Sequence, residues 1–162
     1  MDTAGDDPYG DQRARMGHAL RAYGESYGQL GRAFAASAGL HSTDAIALIE
    51  ILSAEEQGAP LSPARLSDRI GLTSGATSTL LNRLEEAGHI VRSRVHADRR
   101  IVTLHSTPGI HATADAFFDP LDERITAVAA AYEPEILEQF ITFLHQLHQT
   151  IENYKSDRER NA

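Results

Sequence analysis

There is no cysteine among the 162 residues, which excludes a disulfide framework, a thiolate zinc site and a thiol-based redox sensor. No apolar run approaches the length of a membrane span. Met1 opens onto acids (Asp2, Asp6, Asp7) and not onto the basic leader of a signal peptide. The signatures of catalysis are missing too: there is no glycine-rich phosphate loop, no G-x-S-x-G elbow and no carboxylate pair framed by an apolar pocket pattern. These absences predict a cytoplasmic protein with no membrane partner, no cofactor and no enzymatic activity. Internal repeats are also lacking.

What is present is ordinary globular material, 41% hydrophobic and 23% charged, enough for one domain with a real core plus helical extensions. The net charge of −8 argues at first against a nucleic acid partner. Its distribution says otherwise. Residues 1–40 hold 4 basic and 5 acidic side chains, residues 41–107 hold 7 and 8, and residues 108–162 hold 4 and 10. Within residues 92–100 there are 4 arginines and one acid. A local basic tip on an acidic body is the footprint of a nucleic-acid contact.

Residues 1–10 are polar, acidic and broken by Gly5, Pro8 and Gly10, and read as a disordered leader. Met16, Leu20, Tyr23, Tyr27, Leu30 and Phe34 then recur at spacings of 4, 3, 4, 3 and 4, a helical stripe. Gly17, Gly24, Gly28 and Gly31 weaken that helix by up to about 1 kcal/mol each, so it needs a partner. A second helix is expected after Gly39, capped by Ser42 or Thr43, with Ile46, Ile49 and Leu52 as its apolar face. A third opens at Ser62-Pro63, buries Leu66 and Ile70 and stops at Gly71. A fourth is capped by Thr73, buries Leu80, Leu81 and Leu84, and stops at Gly88. Residues 90–95 and 101–104 read as two strands joined by an arginine turn. Thr107-Pro108 starts a fifth helix over about residues 109–131. Pro134 opens a sixth, with Ile136, Leu137, Phe140, Ile141, Leu144, Leu147 and Ile151 along one wide face.

Two short helices joined by Gly71-Leu72-Thr73 and followed by a two-stranded ribbon make a winged helix-turn-helix. In such a pair the second helix offers its first turns to base edges in the major groove, while the ribbon arginines meet phosphates. Three stretches are in register with one family. They are Leu66-Ser67-Asp68-Arg69-Ile70-Gly71-Leu72-Thr73; Asn82-Arg83-Leu84-Glu85-Glu86-Ala87-Gly88 with Ile90-Val91-Arg92; and Asp98-Arg99-Arg100 with Val102-Thr103-Leu104 and Thr107. The chain thereby resembles the multiple antibiotic resistance regulator (MarR) family over almost its whole length past residue 11. It departs from that family's pattern in three places. Ser74-Gly75-Ala76-Thr77-Ser78-Thr79 lacks the early lysine or arginine, Thr77 replaces a usual valine, and Ser106 stands where leucine is common.

The fold expected is mainly α with a small β-wing, a winged helix-turn-helix flanked by dimerisation helices. Its parts are a leader (1–10), an N-terminal dimerisation helix (11–40), the DNA-binding domain (41–107), C-terminal dimerisation helices (108–155) and a flexible tail (156–162). Base reading falls to Ser74, Gly75, Ala76, Ser78 and Thr79, opposite the buried leucines, through hydroxyls, methyl contacts and water. Phosphate or minor-groove contacts fall to Arg65, Arg83, Arg92, Arg94, Arg99 and Arg100, with Asp98 shaping the wing. The partners expected are double-stranded DNA and a second copy of the chain, because the sixth helix carries more apolar surface than one small domain covers. The resemblance also implies release from a palindromic operator by a small aromatic or anionic effector, in a cleft walled by Tyr23, Tyr27, His41, Ile46 and His111. Eight histidines raise a metal site. His145 and His148 stand three apart, and His105 and His111 flank the start of the fifth helix. Without cysteine or an HxxxH on that helix, the reading is no metal. A ligand-independent repressor, a metal-responsive regulator and a protein-interaction winged helix are the alternatives.

Overall fold

A computed structural model describes residues 9–94 and 102–161. Its elements run α1 (Gly10–Ala38), α2 (Ser42–Glu56), α3 (Pro63–Ile70), α4 (Ser74–Glu86), β1 (Ile90–Arg94), β2 (Val102–Ser106), α5 (Pro108–Ala129) and α6 (Pro134–Arg160). The fold is mainly α-helical with one antiparallel hairpin, in which Ile90 faces Ser106, Arg92 faces Leu104 and Arg94 faces Val102. The chain divides into two compact units, Met1–Asp115 and Ala116–Ala162. The division falls inside α5 at the residue whose carbonyl Pro120 leaves without its helical donor.

In the first unit the turn chemistry is local and visible. Ser62 accepts the N–H of Arg65 at 3.3 Å with Pro63 next to it, and Thr73 accepts that of Ala76 at 3.3 Å. Between them Gly71 takes the left-handed conformation that ends α3. Ser67 tightens the turn by donating its hydroxyl to the Leu72 carbonyl at 2.6 Å. The result is a helix pair whose second member starts at a fixed angle to the first. β2 is tied back to the helices where the Leu104 N–H meets the Leu61 carbonyl at 2.8 Å.

The core is built from Phe34, Leu48, Ile51, Leu61, Leu66, Leu81, Leu84, Ile90 and Leu104, all almost fully buried. Several sequence expectations change here. The cap of α2 is His41, with no side-chain cap bond, and Ser42 is already helical. The buried face of α2 is Ala45, Leu48, Ile51 and Leu52, not the stripe through Ile46; Ile46 is exposed and Ile49 half-buried. Ile70 is likewise only half-buried. The cause is that α2 packs against α1, α3 and β2 together. A helix surrounded on several sides shows no clean apolar stripe, so its periodicity cannot fix which face turns inward. Of the four α1 glycines, Gly31 faces α2: a Cβ there would stand 3.8 Å from Ile49 Cδ1, ordinary contact.

Thr77 sits among these leucines at 2% exposure, and its Oγ1 has no hydrogen-bond partner among the described residues. A buried hydroxyl left unpaired costs about 1–3 kcal/mol. Thr77→Val keeps the branched shape and removes the orphan atom, so it should stabilise the domain by about 1 kcal/mol. Urea unfolding with an unchanged slope and a raised midpoint is the expected result; a lowered midpoint would mean that the hydroxyl has a partner.

In the second unit no described residue is buried. Ile125, Val128, Tyr132, Ile136, Phe140, Ile141, Ile151 and Tyr154 are all exposed, whereas Leu137, Leu144 and Leu147 are half-buried. Phe117 and Phe118 pack edge to face at 4.9 Å.

Candidate nucleic-acid interface

The outer face of α4 carries Ser74, Gly75, Ala76, Ser78 and Thr79, all exposed, opposite the buried Thr77, Leu80, Leu81 and Leu84. Short side chains leave the helix slim enough to approach a groove floor closely. Thr79 donates its hydroxyl to the Gly75 carbonyl at 3.1 Å, so towards a base it is left as an acceptor. Asn82 continues this stripe one turn on and is also exposed. Asn82 is not among the base-reading or phosphate residues expected from the sequence. Its position seven residues after Gly75 and three after Thr79 is the signal that places it on the same face.

The six arginines assigned to phosphates separate into three groups. Arg65 and Arg94 are exposed, on α3 and at the end of β1. Arg83 and Arg92 are engaged within the chain. Arg83 grips Asp44 by both edges of the carboxylate, with Nε donating to Oδ2 at 2.8 Å and Nη2 to Oδ1. Asp44 is 4% exposed and Arg83 46%, so one end of the pair is sealed and the other faces water. The hydrogen bonds that Arg83 donates to Asp44 hold the guanidinium above its ordinary value. Arg92 donates from Nη1 to Glu85 Oε2 at 2.7 Å and from Nη2 to Asn82 Oδ1 at 2.8 Å. Arg99 and Arg100, with Asp98, lie outside the described residues.

The root of the wing is fastened by Glu55 at the end of α2. Its carboxylate accepts the backbone N–H of Ser106 at 2.9 Å, the Ser106 hydroxyl at 2.5 Å and a contact with His105 Nδ1 at 2.9 Å. His105 Nε2 in turn meets Thr103 Oγ1 at 2.9 Å. Burial alone would push the Glu55 carboxyl up; the hydrogen bonds from Ser106 and His105 outweigh it and hold the group below the usual carboxylate value. The departure at Ser106 is thus explained: leucine there would remove the hydroxyl that Glu55 accepts.

Of the residues expected around an effector, Tyr23 and Tyr27 stand together on α1, stacked with ring centroids 6.0 Å apart, and both are exposed. His41 and Ile46 are exposed at the start of α2, and His111 is half-buried in the first turn of α5. Among the described residues no group of three or more His, Asp or Glu side chains is placed to hold a metal ion. Nor is any helix among them long and apolar enough to cross a membrane.

A slim helix with an exposed polar face, held by a glycine turn and flanked by a β-wing, defines a winged helix-turn-helix DNA-binding protein. Residues 38–101 match a family model described as MarR family. Over that segment the chain is similar to the MarR family, a resemblance that matches the winged helix-turn-helix described above. It is 29% identical over 113 residues to YcgE of Bacillus subtilis, an uncharacterised HTH-type transcriptional regulator, covering 70% of this chain and 71% of that protein. In fold it is similar to a MarR family protein from Bacillus stearothermophilus, with a TM-score of 0.62 at 20% identity over 88% of this chain and 96% of that one. It is also similar to S. aureus MepR in a MepR–DNA complex, with a TM-score of 0.54 at 18% identity over 83% of this chain and 96% of that one.

Proposed function

We propose that this chain acts as a homodimeric repressor that reads a palindromic operator with α4 and is released from it by a small molecule. The observation that carries the DNA half is the exposed α4 face of Ser74, Gly75, Ala76, Ser78 and Thr79, bordered by Arg65, Arg83 and Arg94. An arginine-poor start to the reading helix shifts the electrostatic share of affinity to the wing, where Arg99 and Arg100 supply it. Two-fold symmetry requires half-site centres about 10 bp apart, or a multiple of that.

The test is a shift assay on the DNA beside the protein's own gene, run over a range of salt. If the dimer neutralises about 4–8 phosphates, log affinity against log salt should have a slope of roughly −4 to −7. Arg99→Ala should weaken all sequences alike and flatten the slope by about 1 for each protomer. An unchanged slope in that variant moves the wing contact elsewhere, and a footprint without two-fold symmetry removes the operator model.

The ligand half is favoured by the stacked, exposed Tyr23–Tyr27 pair, a flat apolar surface on which an aromatic acid can rest. His41 and His111 are the donors for its carboxylate. MepR has been captured with ethidium bromide, an aromatic ligand. An effector must prefer the released state, so aromatic acids added to the same assay should lower operator affinity at least about tenfold, and DNA should weaken their binding reciprocally. No change with any of them leaves a ligand-independent repressor.

A further inference from the structure

Asn82 is an exposed polar side chain on α4 whose orientation is fixed by a neighbour. Its Oδ1 accepts from Arg92 Nη2 at 2.8 Å. A guanidinium has donors only, so the atom facing Arg92 must be the amide oxygen, and the amide NH2 must point the other way. Arg92 cannot turn to suit a different amide orientation, because Glu85 holds its Nη1 at 2.7 Å and its side chain is only 29% exposed. Asn82 therefore turns its two N–H donors outward, while its oxygen is held towards Arg92.

That polarity decides what it can meet on DNA. The two-point contact of asparagine with adenine needs the oxygen to accept from N6 while the nitrogen donates to N7. Here the oxygen is turned towards Arg92, so that contact is not on offer. A phosphate, which only accepts, fits a side chain whose outward group is the donating NH2. Place agrees with chemistry: Asn82 is the ninth of the 13 residues of α4, beyond the first turns that reach base edges in this class of motif.

We infer that Asn82 donates to a DNA phosphate and that Arg92 and Glu85 are positioning residues which aim it. This rests on the reading that α4 enters the groove, and it changes the part played by Arg92. Its charge is met inside the protein by Glu85, so its effect on DNA passes through Asn82. A carboxylate at position 82 would keep the bond to Arg92 and turn a negative oxygen towards the backbone.

Asn82→Asp is the direct test, with Asn82→Ala as a second variant that removes the donor without adding charge. In the full chain, Asn82→Asp should retain the wild-type unfolding midpoint or exceed it, because its ion pair with Arg92 is stronger than the amide bond it replaces. It should weaken the own-gene fragment and a random duplex by the same factor, at least about tenfold. Asn82→Ala should weaken both by a smaller factor. Arg92→Met should lower affinity with the salt slope unchanged, since a positioning residue neutralises no phosphate; a slope flatter by about 1 for each protomer would make Arg92 itself the contact. Unchanged binding by Asn82→Asp and Asn82→Ala overturns the inference while the wild type still shifts DNA. So does a loss confined to the own-gene fragment, which would mark a base contact. A wild type that shifts no DNA fails the underlying reading instead.

Discussion

Replacing Ile136 and Phe140 together by glutamate is expected to leave a folded monomer that has lost its grip on the operator. The two positions are one turn apart on α6, 52% and 54% exposed in the single chain. They belong to an apolar set that includes Ile125, Val128, Ile141 and Ile151, and no described residue of the second unit is buried. Each such side chain gains about 1.5–3 kcal/mol when fully covered, and patches this extensive on a chain mark an interaction surface. If the covering surface is a second copy, the substitutions put four carboxylates into one apolar interface, where unpaired charge is strongly disfavoured. Sedimentation at micromolar concentration should then report a monomer. Operator affinity should fall by about a hundredfold or more, because each half-site is engaged alone and the gain from tethering is lost. The helix content of the first unit should persist in circular dichroism. A dimer that survives both glutamates places its interface elsewhere.

Much of the site was legible in local sequence because its geometry is set by local chemistry. Ser62-Pro63, Gly71, Thr73 and Gly88 each act within a few residues, through a cap or a left-handed backbone, and together they place α3, α4 and the start of β1. The stripe of short residues opposite Leu80, Leu81 and Leu84 follows from helical period alone. What escaped was of longer range. The inward face of α2 depends on three neighbours at once, so no single period describes it. Asp44 and Arg83 are 39 residues apart, and Glu55 and Ser106 are 51 apart; neither pairing leaves a spacing signature. Arg83 and Arg92 read from sequence as two free cations among six. The structure gives each a carboxylate, and in the second case an amide to orient. Ser106 and Thr77 show the two outcomes of placing a hydroxyl where an apolar side chain is usual: one has an acceptor, and the other has none among the described residues.

Arg83→Ala should damage both stability and DNA binding, and a second substitution should restore only the first. The ion pair is lopsided: Asp44 is 4% exposed and Arg83 46%. Removing the aspartate leaves a guanidinium that can turn out into water, whereas removing the arginine strands a carboxylate in the interior, the costlier fault. Arg83→Ala should therefore lower the unfolding midpoint more than Asp44→Ala does. Adding Asp44→Asn to Arg83→Ala replaces the stranded charge with a neutral amide of the same shape and should recover most of the loss. DNA tells the two roles apart. Asp44 uses Nε and Nη2 of Arg83, so on the proposal that α4 enters the groove Nη1 is the atom expected to meet a phosphate. Arg83→Ala and the double variant should accordingly share a salt slope flatter by about 1 for each protomer, although their stabilities differ. Asp44→Ala keeps the cation but not its aim, so it should weaken binding with the slope retained. A double variant that regains operator affinity along with stability would show that Arg83 serves the fold alone and that the phosphate beside α4 is met by Arg65 or Arg94.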